Sequence, residues 1–240
     1  MSAAEIGEIK ILCLHGIGTN ADIFETQTAP IRYHLRSLCK PAALVFDFVD
    51  GTYPWPAPPE ILTIYGKNQP HLSYYDGSTT SALAAVDNLA AYVIENGPYS
   101  AVMGFSMGGS LAATLLLKPH DKNVDKPEWA TARTMIQSTV FLSSMQPMAT
   151  TALRQEKMEK VQTQEIGLRG NWNFIDIPTL HIWSPTDREI PGESETLVQM
   201  CCKDKRAEIV HNAGHAVPVN LAHVKAAATG IQKMLAQIQG

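Results

Sequence analysis

Short apolar runs alternate with helix-like segments along the whole chain. Six runs rich in Val, Ile, Leu and Phe predict strands, at Ile9–Leu14, Ala43–Val49, Ser100–Phe105, Thr139–Ser143, Thr179–Trp183 and Ala207–His211. Most of these runs are nearly unbroken, as expected for strands covered on both faces. The pattern therefore predicts an α/β fold with a mostly parallel central sheet and helices on both of its faces.

Three helices are indicated by apolar residues at helical spacing. One covers Ser81–Asn96, where Ser and Thr residues can cap the start and Gly97-Pro98 ends the pattern. A second begins at Met107, and the last runs from about Leu221 to Ile238. We expect these helices to pack on the sheet.

Two segments interrupt the alternation. Residues 51–77 combine five prolines with Tyr and Trp, and residues 145–176 are polar, with a charged, helix-like stretch around Leu153–Gln164. Long insertions in compact domains are often lids or binding loops, so we expect both to be lid-like parts of a single domain spanning residues 1–240. The alternative is that each segment is a surface loop whose aromatic side chains pack on the core. A third polar stretch, His120–Thr134, is predicted to be a solvated connection.

Composition narrows the classes of partner. The 240 residues are 45% hydrophobic and 18% charged, with 19 Lys and Arg against 23 Asp and Glu, a net charge of −4. No basic run could follow a phosphate backbone, so a nucleic-acid partner is not expected. No window of 18 apolar residues predicts a membrane span. The cysteines form no CxxC pair and Met1–Lys10 does not resemble a secretory signal, so reduced thiols and a cytoplasmic location are expected.

The chemistry is concentrated at Gly104-Phe105-Ser106-Met107-Gly108, between a predicted strand and a predicted helix. This is the G-x-S-x-G pattern of a nucleophile elbow, a tight turn that lifts a serine hydroxyl above the sheet. The glycines relieve crowding where strand and helix approach each other. The sequence therefore predicts Ser106 as a nucleophile, which needs a base to activate it.

An acid and a base follow in the order that this architecture uses. Asp187 lies just after the Thr179–Trp183 run and His215 just after the Ala207–His211 run. Since the carboxyl ends of parallel strands meet at one edge of a sheet, we expect Ser106, Asp187 and His215 to converge. The alternatives for the acid are Asp176, Glu189 and Glu193, and the alternative for the base is His211.

Oxyanion donors and the substrate-binding wall are the remaining expectations. The backbone N–H groups of Met107 and Ile17 are predicted donors to an oxyanion, with Gly18 an alternative to Ile17. His15 is expected to brace this loop rather than act as a second base. The residues predicted to contact substrate are Gly16, Phe105, Tyr53, Trp55 and Trp172.

Other chemistries find less support in the sequence. His211 and His215 lack the helix and the intervening glutamate of an HExxH zinc site, and neither a P-loop nor a GxGxxG fingerprint occurs. The sequence therefore predicts neither a metal nor a cofactor.

Further motifs accompany the elbow: Ile11-Leu12-Cys13-Leu14-His15-Gly16 with Asn20, Phe46-Asp47-Phe48-Val49-Asp50-Gly51, Gly97-Pro98-Tyr99 ahead of Gly104–Gly109, and Gly214-His215-Ala216-Val217-Pro218. Over most of its length the chain resembles the fungal serine hydrolase family of the α/β-hydrolase superfamily. The resemblance supports Ser106, Asp187 and His215 as a catalytic triad. The chain departs from the family pattern at Met107, where relatives usually carry glutamine, and altered pocket polarity is expected there. It also departs at Ala213-Gly214, which replaces a Gly-Gly pair.

The resemblance implies hydrolysis of an ester or thioester, in this family often a polyketide acyl chain carried as a thioester by an acyl carrier protein. The triad alone predicts a serine esterase or thioesterase that forms an acyl-enzyme on Ser106 and needs no cofactor. Two alternatives keep the same residues. One is an acyltransferase or product-releasing cyclase, and the other is a ligand-binding protein whose triad is idle.

Overall fold

The computed structural model describes residues 7–118, 125–161 and 175–239. Eight strands are described, namely β1 (Glu8–Leu14), β2 (Ala43–Val49), β3 (Tyr53–Pro54), β4 (Leu72–Ser73), β5 (Ala101–Phe105), β6 (Thr139–Leu142), β7 (Thr179–Trp183) and β8 (Arg206–Val210). The described helices are α1 (Ala21–Leu38), α2 (Pro59–Tyr65), α3 (Thr79–Asn96), α4 (Met107–Leu116), α5 (Pro127–Thr134), α6 (Thr150–Leu153), α7 (Glu193–Gln199) and α8 (Leu221–Gln239), with a short 3₁₀ turn at Lys203–Lys205.

The central sheet has six strands in the order β2-β1-β5-β6-β7-β8, and every neighbouring pair is parallel. Each of these strands begins and ends within one residue of its predicted bounds. The expected α/β-hydrolase class, with helices on both faces of a parallel sheet, is therefore confirmed. The remaining two strands, β3 and β4, form a small antiparallel hairpin within residues 51–77.

Strand β1 shows why the apolar runs are unbroken. Ile11 and Cys13 belong to one apolar cluster, with residues of α1 and α8, whereas Leu12 and Leu14 belong to another, with residues of α3 and α4. Successive side chains of a strand point to opposite faces, so both sets must be apolar when both faces are covered. The two clusters fix the helix layers above and below the sheet.

The long helices begin at side-chain caps. Asn20 accepts a hydrogen bond from the N–H of Ile23 at 2.8 Å at the start of α1, and Ser78 accepts one from Ser81 at 3.2 Å at the start of α3. Each cap satisfies one backbone donor that has no partner within the helix. Helix α8 spans the predicted last helix with one further residue at its C-terminal end.

Two expectations about the polar segments are wrong. The stretch expected to be a solvated connection contains α5, whose Trp129 is buried and donates a hydrogen bond to Asp87 at 2.9 Å. The helix expected around Leu153–Gln164 is instead the single turn α6, because the chain leaves the helix at Glu156, which has a φ of 59°. Residues 162–164 lie outside the described residues.

None of the described helices is both long enough and apolar enough to span a bilayer. All four cysteines lie within the described residues, and each has a free thiol.

Candidate active site

Ser106 lies in a strained turn between β5 and α4. Its backbone has a φ of 51° and a ψ of −115°, a region that costs a non-glycine residue on the order of 1–3 kcal/mol. A Cβ at Gly104 would lie 2.5 Å from the Cα of Gly109, and one at Gly108 would collide with the carbonyl oxygen of Leu14. The two glycines of the motif are therefore required by the close approach of strand and helix.

The structure brings Ser106, His215 and Asp187 into one hydrogen-bonded chain. Nε2 of His215 lies 2.9 Å from Oγ of Ser106, and Nδ1 lies 2.7 Å from Oδ2 of Asp187. A carboxylate can only accept, so Nδ1 carries the proton and Nε2 is free to accept the serine proton. Ser106 is 4% exposed and Asp187 7% exposed, which keeps these contacts largely out of water.

The second oxygen of Asp187 is held by its own loop. Oδ1 accepts hydrogen bonds from the N–H groups of Glu189 at 3.0 Å and Ile190 at 3.2 Å. Oδ2 is thereby aimed at the imidazole. These two amides were not identified from the sequence. An Asp that accepts from the N–H groups two and three residues later is a common turn pattern, and it could have indicated them.

The alternative acids and the alternative base have other partners. Asp176 forms an ion pair with Lys205 at 2.9 Å, and Glu193 pairs with Lys160 and accepts from the N–H of Gln146. Nδ1 of His211 accepts from the N–H of Ala213 at 3.1 Å, and burial lowers the pKa of His211. The structure therefore does not bring these three residues to Ser106. The remaining alternative acid, Glu189, lines the same cavity as Ser106, but Nδ1 of His215 contacts Oδ2 of Asp187 instead.

The two predicted oxyanion donors lie on different elements, one on the loop after β1 and the other at the start of α4. The N–H of Gly18 donates to the carbonyl of Leu72 at 2.9 Å, so it is already engaged. Ile17 faces the cavity that contains Ser106, and Met107 begins α4, where the first N–H groups of a helix have no partner within it. This arrangement favours Ile17 over Gly18, with Met107 as the second donor.

His15 and Tyr74 brace this loop from beneath. Nδ1 of His15 lies 2.7 Å from the carbonyl of Gly16, and Nε2 accepts from the N–H of Gly51 at 2.9 Å. The hydroxyl of Tyr74 accepts from the N–H of His15 at 2.8 Å and donates to the carbonyl of Val49 at 3.0 Å. Burial lowers the pKa of His15, which favours a neutral ring. His15 thus has the bracing contacts expected of it, whereas Tyr74 was not identified from the sequence.

Replacing Tyr74 with phenylalanine should destabilise the fold by about 1–3 kcal/mol, because the His15 N–H and the Val49 carbonyl would be left without a partner. We also expect a several-fold loss of kcat, since the loop carrying Ile17 loses its support. Urea unfolding and ester hydrolysis measure the two effects. Tyr33→Phe is the control, because Tyr33 is 70% exposed. A Tyr74→Phe protein that unfolds at the wild-type urea concentration would contradict the bracing role.

Ser106 and His215 open onto a cavity of about 420 Å³. Most of its wall is apolar, and it is lined by Ile17, Thr19, Thr26, Gln27, Pro30, Pro58, Glu60, Ile61, Ile64, Tyr65, Phe105, Met145, Glu189, Ile190, Ala216, Val217 and Val219. The volume lies within the range of small-molecule sites. One wall comes from α2, so residues 51–77 contribute to the site as expected, and whether they act as a lid stays a prediction.

Several residues that were predicted to contact substrate do not line the cavity. Phe105 lines it, but Tyr53 and Trp55 do not, because the β3–β4 pairing holds them outside and α2 forms the wall. Gly16 does not line it either, and a Cβ there would lie 2.7 Å from the Phe105 ring. The side chain of Met107 points into the core, where its Sδ accepts from Ser73 Oγ at 3.3 Å, so it does not alter the cavity polarity. Trp172 lies outside the described residues.

Among residues 7–118, 125–161 and 175–239, no group of three or more His, Cys, Asp and Glu is placed to hold a metal ion.

The chain is similar in sequence to serine hydrolases and esterases. The family model "Serine hydrolase (FSH1)" matches residues 2–227. Esterase FPY3 of Fusarium mangiferae is 30% identical over 210 residues, covering 88% of each chain. Family of serine hydrolases 2 of Saccharomyces cerevisiae is 23% identical and covers 94% of this chain and 98% of the yeast protein.

Solved structures share the fold. A carboxylesterase from Mesorhizobium loti superposes with a TM-score of 0.56 at 17% identity, covering 95% of this chain and 88% of that one. A Bacillus cereus carboxylesterase gives a TM-score of 0.54 at 16% identity, covering 95% and 89%. At these identities the likeness extends to the architecture alone.

Proposed function

Because the chain belongs to the FSH1 serine hydrolase family, we propose that it hydrolyses a carboxylic ester or thioester through an acyl-enzyme on Ser106. One observation carries the proposal: the hydrogen-bonded chain from Asp187 through His215 to Ser106, at the base of a largely apolar cavity. Such a chain converts a weakly nucleophilic hydroxyl into an activated one.

In the first half-reaction, Oγ of Ser106 attacks the acyl carbonyl carbon while Nε2 of His215 takes the hydroxyl proton. The carbonyl oxygen becomes an oxyanion that the N–H groups of Met107 and Ile17 stabilise. The carbon–oxygen or carbon–sulfur bond then breaks, and His215 returns the proton to the departing alcohol or thiol. Asp187 stabilises the imidazolium that exists between these steps.

In the second half-reaction, water attacks the ester of Ser106, and His215 takes a proton from that water. The bond between the acyl carbon and Oγ breaks, Oγ regains the proton from His215, and the free acid leaves. No step of this proposed mechanism needs a metal or a cofactor. The apolar wall suits an apolar acyl group, because removing such a group from water is favourable.

Two wider expectations belong to the same proposal. A thioester on an acyl carrier protein, implied by the family resemblance, is one member of the proposed substrate class. Location in the cytoplasm is supported by the four free thiols.

We also propose that the chain is one domain. Strands β1 and β8 are separated by most of the described chain, yet they lie in one sheet.

Trapping the acyl-enzyme tests the proposed function. The protein is mixed with activated esters and pantetheine thioesters of increasing acyl length, quenched rapidly in acid, and digested for peptide mass spectrometry. We expect a mass increase of one acyl group on Ser106, together with free acid in solution. Ser110, one turn further along α4, is an internal control that should stay unmodified.

An acyl group found on another residue, or no acylation with any member of the panel, would contradict the proposed nucleophile. Transfer of the acyl group to an added alcohol or amine, or release of a cyclised product, with no free acid, would favour the acyltransferase or cyclase alternative. Tight binding of the esters without turnover would favour the idle, ligand-binding alternative.

A further inference from the structure

The cavity wall carries an uneven set of charges. Two carboxylic acids, Glu60 and Glu189, line it, and no Lys or Arg among the described residues does. Arg188 is next to Glu189 in sequence, but it is exposed and is not part of the wall. A substrate entering this cavity therefore meets carboxylates and no compensating cation.

The two carboxylates come from different parts of the chain. Glu60 lies in the first turn of α2, within residues 51–77, and Glu189 lies two residues after Asp187. Partial removal from water raises the pKa of Glu189, and the negative charges of Glu60 and Asp187 raise it further, while His215 acts in the opposite direction. The charge of Glu189 is therefore felt at His215 and Asp187, and Glu60 lies close enough to Glu189 for the two carboxylates to act on the same cavity.

Other residues of the cavity wall add to the effect of the two negative charges. Gln27 also lines the cavity, and its Oε1 is buried with no hydrogen bond from a described group. Ile17, Ile61 and Ile190 supply apolar surface of low dielectric constant in the same wall. Apolar walls focus an electric field in a cleft, so a charge at the mouth acts over a longer distance than in open water.

We propose that Glu60 and Glu189 make the cavity selective by charge, admitting neutral and cationic acyl groups and disfavouring acyl groups that carry a carboxylate or phosphate. This inference rests on the proposed hydrolysis and names the substrate class within it. Selection operates through repulsion of the wrong substrate as well as attraction of the right one. Because Glu60 and Glu189 are both exposed, water screens their charges, and we expect each to change the preference by only about two- to five-fold. Added salt should reduce this effect.

Two pairs of esters with the same activated leaving group test the proposal. The first pair is an adipoyl monoester and its neutral carboxamide isostere. The second pair is a trimethylammonium-butanoyl ester and its neutral tert-butyl isostere. Within each pair the shape is matched and the charge differs, so the ratio of kcat/KM isolates the electrostatic effect. The ratios are measured at low and high ionic strength for wild type, Glu60→Gln, Glu189→Gln and the double variant.

We expect wild type to favour the carboxamide over the adipoyl ester by about ten-fold, and to favour the trimethylammonium ester over its tert-butyl isostere. In the double variant both ratios should approach one. Glu95→Gln is the matched control, because Glu95 is an exposed acid on α3 that does not line the cavity, and its ratios should equal those of wild type.

The inference and the proposed function fail in different ways. If the neutral esters are hydrolysed but the ratios are near one in wild type, or are the same in wild type and the double variant, charge selection is overturned and hydrolysis stands. If Ser106 is not acylated by the neutral esters either, the proposed function itself is overturned, and the charge selection that rests on it falls too.

Discussion

Alanine in place of Ser106 is expected to lower kcat/KM for an activated ester by about 10⁵- to 10⁶-fold, leaving only the contribution of the oxyanion donors and of substrate binding. In the proposed mechanism the hydroxyl oxygen of Ser106 forms the acyl-enzyme, and His215 cannot activate a methyl group. Esterase assays with a fluorophosphonate labelling experiment measure the loss, and labelling should disappear with activity.

The same substitution should leave the fold nearly unchanged. Alanine has the same difficulty as serine at a φ of 51°, so the backbone strain is retained and only one hydrogen bond is lost. We expect the free energy of unfolding to change by about 1 kcal/mol or less. Ser110→Ala is the control, because Ser110 lies on the same helix and donates to the carbonyl of Gln146 at 2.6 Å, away from His215. A Ser106→Ala protein that retains a tenth of the wild-type activity would refute the role given to this residue.

Asparagine in place of Asp187 is expected to lower kcat by about 10⁴-fold. The N–H groups of Glu189 and Ile190 both donate to Oδ1, so the asparagine side chain must keep its oxygen at that position. Its NH₂ group then faces Nδ1 of His215 and acts as a donor. The imidazole is driven into the tautomer that carries its proton on Nε2, where it cannot accept the proton of Ser106.

Steady-state kinetics on the purified variant checks this loss, and urea unfolding shows whether the fold is retained. Asp176→Asn is the matched control, since Asp176 pairs with Lys205 at the surface and was an alternative for the acid. We expect it to keep wild-type kcat. Equal losses in the two variants, or wild-type kcat in Asp187→Asn, would show that the carboxylate of Asp187 does not orient the base.

The parallel sheet was predictable because the physical requirement on its strands is simple. A strand covered on both faces needs a continuous apolar run, and the runs at β5, β6 and β7 stand between polar or helical segments. The elbow was predictable for a similar reason, because a side chain at Gly104 or Gly108 would collide with the neighbouring backbone. Order along the chain then placed Asp187 and His215 at the carboxyl ends of β7 and β8.

Other features depend on contacts that local patterns do not record. Helix α1 was not identified because Pro30 and a polar stretch interrupt its apolar stripe, although Ile23, Phe24, Ile31 and Leu35 are buried. Helix α5 was taken for a solvated connection because Trp129 is its one large apolar residue. Its burial depends on α3, where Asp87 accepts the indole N–H.

The cavity wall was predicted least well. Composition indicated that residues 51–77 are aromatic and proline-rich, but not which side chains would face Ser106. The pairing of Tyr53 with Ser73 and Pro54 with Leu72 decides this, because it fixes the path of the chain into α2. The bracing role of Tyr74 likewise depends on a hydrogen bond to a residue 59 positions away.

The hairpin and the loop after β1 are joined by several hydrogen bonds. Gly18 donates to Leu72, Leu72 donates back to Thr19 at 2.7 Å, and the side chain of Asn20 donates to Pro70 at 2.7 Å. The segment that forms part of the cavity wall is therefore hydrogen-bonded to the loop that carries Ile17, the proposed oxyanion donor. A chimera that takes residues 51–77 from a relative to change substrate preference would also disturb turnover, unless residues 15–20 were grafted with them as one unit.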